Sequence, residues 1–512
     1  MTKLYLTTAI DYSNGDPHLG HAYEKIGADC IARYRRLAGD DVHFVIGMDE
    51  NSQNVVQAAE QAGQTPRAWV DLIAGRFRAA WERLAISHDD FIRTTEPRHA
   101  AAVRALLERI RATGGGDAHI YEGVYRGYYC TGCEAYKRET ELLDGRCPLH
   151  PTRELTWLEE PNYFFRLSAF RDRLLAHYDA HPDFLRPPER MNEVRNMVAD
   201  GLEDISISRA RLAWGIPFPG AEGHTVYVWF DALINYLSAT EYPAPGYDRL
   251  WPADLHVIGP DITRFHCVIW PAMLMAAGVA LPRAVWAHGW MTFGGARFSK
   301  SAGVRYTLDE AIERHGPDAL RYFLLREVPW DASGEFSLER FDARYTADLA
   351  DTVGNLVSRT LSMVHRYSGG AVPDGSETPL DRAAADALAG YRRAMDAYRL
   401  HDGAARVVAL AADANRFVQD TAPWTLAKRN RQAELDASLA ALVRTVARIA
   451  VLAAPFLPGK AEQVWTALGA GRPLASVRPD DLTAPAVSGR QVGTPPILFP
   501  KLQPSGELPE TA

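Results

Sequence analysis

Short apolar runs alternate with longer segments of helical periodicity through the first 115 residues of the chain. Lys3–Thr8 is an apolar, β-branched run without a turn residue, which predicts a buried strand. Residues 19–37 then place apolar side chains at helical spacing, and a second strand at 42–46 is followed by a helix near 55–62. Strands that alternate with helices predict a parallel sheet with helices on both faces.

The pattern changes between residues 114 and 223, where three glycines are followed by a cysteine cluster. We interpret this region as a domain inserted into the α/β core. Two strand-like runs, at 225–230 and 255–259, indicate the return of the core. Helical periodicity dominates beyond residue 338, in segments at 338–367, 379–398, 403–428 and 435–457, and predicts a helix bundle. The predicted domains are the first half of the core (1–115), the inserted domain (116–224), the second half of the core (225–337), the helical domain (338–475) and a tail that packs back or is partly disordered (476–512).

Composition narrows the class of protein only slightly. The 512 residues carry a net charge of −8, whereas a protein that simply coats nucleic acid is basic; RNA binding through local patches is still allowed. The N-terminus has no basic region followed by an apolar stretch, so we expect no signal peptide. The longest apolar run, residues 268–281, contains Pro271 and is too short to span a bilayer. We therefore expect a cytoplasmic protein without a membrane segment.

A cluster of cysteines has the spacing of a metal site. Cys130 and Cys133 are separated by two residues, and Cys147 and His150 repeat this spacing after 13 intervening residues. Two such knuckles can present four ligands tetrahedrally, and three thiolates with one imidazole are typical of a closed structural zinc site. The alternative is a set of thiols that are buried by chance. We predict one structural zinc ion.

Two separate motifs suggest a phosphate site. His18 and His21 stand where the first predicted strand gives way to the first long helix, and free backbone N–H groups at a helix N-terminus bind anions. Far downstream, Arg297-Phe-Ser-Lys300-Ser follows two glycines and offers basic side chains that could close over phosphates. Taken alone, each motif has a simpler interpretation, as surface histidines or as a solvated basic turn.

Together these motifs resemble the HIGH and KMSKS signatures of the class I aminoacyl-tRNA synthetases. Within that class the chain resembles the methionyl-tRNA synthetases of the zinc-containing bacterial type, nearly end to end. The stretches that carry the resemblance are NGDPHLGHAYEKIGAD, TVYVWFDALINY, HVIGPDITRFHCVIWPAML, RFSKSAG, GNLVSRT and APWTLAK. The resemblance implies a Rossmann-like catalytic domain, an inserted zinc-knuckle domain and an all-α anticodon-binding bundle. It also implies ATP-dependent activation of L-methionine to methionyl-adenylate, with Mg2+ accompanying ATP, and transfer to the 3′ end of tRNA(Met), including the initiator tRNA.

The same resemblance implies roles for individual residues. Those implied in catalysis are His18, His21, Arg297 and Lys300. Those implied in ATP binding are His18, His21, Gly259, Asp261 and Lys300. The methionine site is implied at Ala9, Ile10, Tyr12, Asp49, Arg209, Trp229, Ala232, Leu233, Tyr236, Ile262 and His266, with Asp49 at the ammonium group and Arg209 at the carboxylate or the phosphates. The CAU anticodon is implied to contact Asn355, Arg359 and Trp424. The alternative for Trp229, Tyr236 and Trp424 is ordinary core packing.

Several positions depart from the family pattern. They are Asp11, where proline or tyrosine is frequent, Asn51 and Ser52 in place of His-Gly, Pro260 in place of a lysine, and Arg297 and Phe298 in place of lysine and methionine. None removes a residue that we regard as essential. Some family members continue into an extra RNA-binding and dimerising module that this chain lacks, so we expect a monomer. Two alternatives stay open: a class I synthetase for another amino acid, such as leucine, isoleucine or cysteine, and a non-catalytic tRNA-binding paralogue.

Overall fold

A computed structural model of the protein describes residues 2–113, 118–132, 135–137, 139–148, 150–210, 212–294, 296–297 and 306–501. Its strands are β1 (Lys3–Thr8), β2 (Asp11–Tyr12), β3 (Asp41–Asp49), β4 (Asp90–Arg93), β5 (Ile120–Cys130), β6 (Ala135–Lys137), β7 (Thr156–Phe165), β8 (Leu185–Arg186), β9 (Ile205–Ser206), β10 (Ser208–Arg209), β11 (Thr225–Val226), β12 (Leu255–Ile258), β13 (Val285–Ala287), β14 (Met291–Phe293), β15 (Ala296–Arg297) and β16 (Gly334–Phe336).

The α-helices of the described residues are α1 (Leu19–Ala38), α2 (Gln53–Gln61), α3 (Pro66–Arg83), α4 (Pro97–Thr113), α5 (Arg171–Ala180), α6 (Pro188–Asp200), α7 (Val228–Leu233), α8 (Asn235–Ser238), α9 (Trp270–Ala277), α10 (Leu308–His315), α11 (Pro317–Glu327), α12 (Leu338–Arg344), α13 (Asn355–Ser368), α14 (Pro379–Asp396), α15 (Leu400–Thr421), α16 (Pro423–Lys428), α17 (Gln432–Ala453) and α18 (Pro458–Ala467). None of them is long and apolar enough to cross a membrane.

The centre of the protein is a seven-stranded sheet in the order β4–β3–β1–β12–β13–β8, with β2 paired to the carboxyl end of β3. Every pairing in this sheet is parallel. One face buries Leu6 and Phe44 against α1, and the other buries Tyr5 and Val45 in a second core. Because parallel strands buried on both faces need covering helices, the alternating sequence pattern produces this α/β fold, and the predicted fold class is confirmed.

The region between the two halves of the core forms a four-stranded antiparallel sheet in the order β6–β5–β7–β9. The helices α5 and α6 lie between its strands β7 and β9 in the chain. Between them, β8 pairs in parallel with β13 and so belongs to the central sheet. The inserted segment thus contributes its own small sheet and also completes one edge of the core, while the predicted domain boundaries stay predictions.

The strand predicted at residues 225–230 is wrong. Only Thr225 and Val226 form a strand, and they pair antiparallel with β10 outside the central sheet. The rest of the run begins helix α7, with Val228 and Phe230 buried. An uninterrupted apolar run is consistent with a buried strand or with a buried helix, because periodicity does not separate the two.

The last third of the described chain is helical, as predicted, with two interruptions. The segment Tyr345–Gly354 between α12 and α13 is a π-helix. The predicted helix at 403–428 ends at Thr421, and Ala422 takes a left-handed conformation (φ 42°) before Pro423 begins α16. Proline has no N–H to donate within a helix, which explains the break.

One buried arginine of the core joins helix α1 to the helical domain. Arg321, on α11, donates from Nη2 to Asp29 Oδ2 on α1 at 2.7 Å and to the carbonyl oxygen of Pro455 at 2.9 Å. Both charged side chains are fully buried. Burial raises the pKa of Asp29, but Arg321 and Arg33 outweigh it and bring that pKa down to about 2. The Asp29 carboxylate therefore stays charged, and its burial is tolerated because Arg321 and Arg33 neutralise this charge.

We predict that Arg321→Met destabilises the protein strongly, because it leaves Asp29 as an unpaired buried charge, at a cost of about 3–5 kcal/mol. Arg33→Met is the matched control: it removes the other cation of Asp29, which is partly exposed, and should cost about 0–1 kcal/mol. Chemical unfolding followed by circular dichroism measures both. Equal midpoints for the two variants would contradict the role given to Arg321.

Candidate active site

The two histidines of the first motif cap the N-terminus of α1. His18 is extended (φ −135°), and its Nδ1 accepts from the backbone N–H of Gly20 at 3.0 Å and of His21 at 3.4 Å. The Nδ1 of His21 accepts from the backbone N–H of His18, and the two rings stack with centroids 3.7 Å apart. Since each neutral ring accepts at Nδ1, its proton is on Nε2. The site therefore offers two Nε2–H donors beside a helix N-terminus.

Several residues that are predicted to bind methionine lie together where β1, β2 and β3 end. Tyr12 of β2 pairs with Asp49, the last residue of β3, and Asp49 is buried. The ring of Tyr12 meets the indole of Trp229 edge-on, with centroids 5.4 Å apart. Ile10 packs against the backbone of Gly47, where an added Cβ would lie 3.0 Å from Ile10 Cγ2. These residues form an aromatic and apolar recess with one carboxylate.

A second group of predicted residues surrounds His266, which follows Phe265, the ring that stacks on Trp229. His266 lies in the π-helical segment Phe265–Ile269, and its Nδ1 is 3.0 Å from the carbonyl oxygen of Ile262. A carbonyl only accepts, so Nδ1 carries the proton and Nε2 accepts from the Tyr236 hydroxyl at 2.5 Å. Burial lowers the pKa of His266 to about 4, so the ring is neutral. Ala232 and Leu233 reach the same region from α7 and are buried.

Gly259 and Asp261 lie immediately after β12, beside β1 at the carboxyl edge of the sheet. An added Cβ on Gly259 would lie 2.8 Å from Asp261 Oδ1, so the glycine makes room for this carboxylate. Asp261 itself is exposed. Carboxyl edges of parallel strands are where open α/β sheets bind ligands, and both residues lie at that edge.

Arg209 lies apart from the other residues that are predicted to bind methionine. It lies on β10, with its guanidinium 3.8 Å from the ring centre of Tyr227 and 4.5 Å from that of Tyr136. Its Nη1 donates to Ser206 and Ser208, and its buried Nε and Nη2 have no hydrogen-bond partner among the described residues. It lines a cavity of about 170 Å³ with Gln53, Tyr129, Thr131, Thr156, Leu158, Glu160, Leu212, Tyr227 and Val228. No described hydrogen bond or ring contact joins Arg209 to the recess at Tyr12.

The described ligands of the predicted metal knuckle converge. The ligand atoms of Cys130, Cys147 and His150 all lie within 4.8 Å of one another, and both thiols are buried. An added Cβ on Gly132 would lie 2.5 Å from the His150 ring, so only glycine allows this approach. The fourth predicted ligand, Cys133, lies outside the described residues. The donor set present fits a structural zinc ion.

Two of the predicted catalytic side chains lie outside the described part of the chain. Lys300 is among residues 298–305, and of Arg297 the backbone alone is described, as part of β15 paired with β14. The preceding strand β14 pairs in parallel with β16.

A buried polar network next to the recess was not predicted. Asp231 of α7 contacts His99 Nε2 through Oδ1 at 2.5 Å and accepts from Asn51 Nδ2 through Oδ2 at 2.8 Å. The Nδ1 of His99 lies 2.8 Å from the Ser238 hydroxyl. These bonds fix the segment after Asp49 against the helix that carries Trp229. The signal in the sequence was a single aspartate inside an apolar run, a costly group to bury without partners.

The predicted anticodon residues lie on the helical domain. Asn355 and Arg359 are one turn apart on α13, where Asn355 is exposed, and Trp424 is 36% exposed at the start of α16. Asn415 Nδ2 donates to the carbonyl oxygen of Thr352 at 2.9 Å, which brings the end of α15 beside the start of α13. No hydrogen bond or ring contact among the described residues joins Trp424 to Asn355 or Arg359.

Comparison with known proteins gives the same assignment for both parts of the chain. Residues 4–155 and 139–361 match the family model described as "tRNA synthetases class I (M)", and residues 368–507 match the "Anticodon binding domain of methionyl tRNA ligase". The methionine–tRNA ligase of Brucella suis is 42% identical over 98% of both chains. That of Thermotoga maritima is 40% identical over 90% of this chain and 75% of its own length.

The fold agrees with that of a solved relative. The structure of Mycobacterium tuberculosis methionyl-tRNA synthetase in complex with methionyl-adenylate superposes with a TM-score of 0.92 at 40% identity, covering 98% of this chain and 100% of the other. Family models that match most of the chain, relatives at about 40% identity and this superposition lead to one conclusion. The chain belongs to the methionyl-tRNA synthetase family.

Proposed function

We propose that this protein joins L-methionine to tRNA(Met), including the initiator tRNA, in two steps at the carboxyl edge of its central sheet. The observation that carries the proposal is the convergence of Tyr12 and Trp229 with the buried carboxylate of Asp49. The histidine-capped N-terminus of α1 begins a few residues after Tyr12 along the same chain segment. An amino-acid pocket next to an anion site is what carboxylate activation by ATP requires.

In the first step, the methionine carboxylate attacks the α-phosphorus of ATP and pyrophosphate leaves. The Nε2–H groups of His18 and His21 donate to phosphate oxygens, and the helix N-terminus adds favourable electrostatics. Lys300, helped by Arg297, stabilises the negative charge that develops on the α- and β-phosphates. Magnesium supplies further charge neutralisation when it enters with ATP. Gly259 and Asp261 hold the adenosine.

Methionine is held by charge at one end and by shape at the other. Asp49 accepts from the ammonium group, while Ala9, Ile10, Trp229, Ala232, Leu233 and Ile262 surround the side chain. Tyr236 donates to His266 and orients that ring, and burial keeps the ring neutral, so the wall next to the thioether carries no charge. A polarisable sulfur suits such aromatic and apolar contacts. Arg209, with two free donor nitrogens, binds an anionic group of the substrates from the inserted domain.

In the second step, a terminal ribose hydroxyl of tRNA attacks the mixed anhydride. Asn355, Arg359 and Trp424 contact the CAU anticodon, since unpaired RNA bases are recognised by stacking and by edge hydrogen bonds. Cys130, Cys133, Cys147 and His150 would hold one zinc ion, which keeps the knuckle folded when bound. The protein acts as a cytoplasmic monomer.

We predict that Lys300→Ala lowers methionine-dependent ATP–pyrophosphate exchange by about 10²–10³-fold, because it removes charge stabilisation from the transition state. Folding, followed by circular dichroism, should be unchanged. Lys501→Ala, which removes an exposed lysine paired with Asp351, is the control and should retain full exchange. Near-normal exchange by Lys300→Ala would overturn the assignment of this lysine.

For the tRNA step, we predict that Trp424→Ala loses about 1–3 kcal/mol of base stacking, roughly 5- to 150-fold in kcat/KM for a tRNA with a CAU anticodon. Its ATP–pyrophosphate exchange should stay normal, because the change lies in the helical domain. Trp157→Ala, which removes an exposed tryptophan of the inserted sheet, should keep the preference for CAU over an altered anticodon. If Trp424→Ala keeps this preference too, the anticodon site lies elsewhere.

A further inference from the structure

The first strand of the sheet contains one extra residue immediately before the methionine recess. β1 and β2 pair with the same edge of β3, because β4 occupies the other edge. Thr7 pairs with Val45 and Asp11 with Met48, so a step of four residues on one strand matches a step of three on the other. The segment between Thr7 and Asp11 is therefore a β-bulge, a feature that re-aims side chains and is frequent near active sites.

This extra residue decides which side chains face methionine. Successive residues of a strand point to opposite faces, so a shift of one position exchanges the two faces. With the bulge, Tyr12 pairs with Asp49 and both lie on the face of Trp229. Asp11 pairs with Met48, which is buried in the core on the α1 side. In a regular strand Asp11 would lie opposite Asp49, and Tyr12 would point away from the recess.

A single buried ammonium group holds the bulge. Lys25 Nζ donates to the carbonyl oxygen of Ala9 at 2.8 Å, to Asp11 Oδ1 at 2.9 Å and to Glu24 Oε1 at 2.9 Å. The backbone N–H of Ala9 is bonded on the other side, to Val257 of β12. Lys25 is completely buried, and its three donors are all used. Lys25 thus contacts the bulge at Ala9, in its centre, and at Asp11, where it ends.

The carboxylate of Asp11 depends on this contact. Its second oxygen, Oδ2, is buried without a hydrogen-bond partner among the described residues. Burial raises the pKa of Asp11 to about 7 even beside Lys25. A fully buried ion pair is a poor means of gaining stability, since apolar residues of similar size often serve as well. A role in fixing local geometry accounts for the pair better.

We propose that Lys25, with Asp11, is a positioning residue for the methionine site: it fixes the bulge at Ala9 and thereby sets the face on which Tyr12 meets the substrate. This inference rests on the proposed function. Lys25 acts through the Ala9 carbonyl and Asp11 and lies on α1, two helical turns after His18. The same helix therefore carries the phosphate site at its N-terminus and, through Lys25, hydrogen-bonds the backbone of the methionine recess.

The test is steady-state ATP–pyrophosphate exchange on the full-length protein, with methionine and ATP varied separately. We expect Lys25→Met to raise KM for methionine by about 10- to 100-fold, because small displacements of binding groups are costly. KM for ATP should change little. The variant Asp11→Leu/Glu24→Gln/Lys25→Met removes the ammonium group and both carboxylates paired with it. It should fold like the wild type, yet keep the raised KM for methionine, since the Ala9 carbonyl still lacks its donor.

Asp381→Asn is the matched control, because Asp381 forms a buried ion pair with Arg444 and Arg448 in the helical domain. It should lower the unfolding midpoint without changing KM for methionine. An unchanged KM for methionine in the triple variant overturns the proposal, as does a parallel change in both KM values. Failure of the proposed function is a distinct outcome, in which the wild type itself shows no methionine-dependent exchange.

Discussion

The geometry of the active site depends on β1, which pairs with a strand on each side and bulges at its carboxyl end. β1 is hydrogen-bonded to β3 and to β12, which fixes its position in the middle of the sheet. At its carboxyl end the strand bulges and continues as β2, while β3 and β12 end beside it. Three strand ends thus deliver Ala9, Asp49 and Gly259 to one edge, as expected for a ligand site in an open α/β sheet. The helix that follows the bulge begins with His18 at the same edge.

Burial determines which side chains near this edge are neutral and which charged side chains need a partner. The wall expected to meet the methionine side chain is uncharged, because burial keeps His266 neutral and the Tyr236 hydroxyl is used as a donor to it. The phosphate end has instead a helix N-terminus and two imidazole donors. Farther from the substrates, charged groups are buried in pairs, of which Asp29 with Arg321 joins α1 to α11. Pairing allows these charges to remain inside the fold, where a single charge would be costly.

Local sequence patterns predicted the elements whose signals are local. Lys3–Thr8 and the helix after His18 were predicted because strand and helix periodicity are visible within a few residues. The run at 225–230 was predicted as a strand and is mostly helix. A continuous apolar run has no periodicity that would distinguish a buried strand from a buried helix. The bulge at Ala9 and the partner of Asp11 could not be predicted, because the register of β1 and β2 on β3 and the position of Lys25 depend on tertiary pairing. Asp11 appeared in the sequence only as an unusual residue for its position.

The most direct test of the proposed activity is ATP–pyrophosphate exchange by the purified, zinc-loaded protein with methionine, leucine, isoleucine, cysteine or homocysteine. We predict exchange driven mainly by methionine, with homocysteine weaker by the roughly 1–3 kcal/mol that one missing methyl group provides. Exchange driven by leucine, isoleucine or cysteine would contradict the assignment of the recess around Trp229 and Tyr236. A folded protein that supports no exchange with any of the five would contradict catalysis itself.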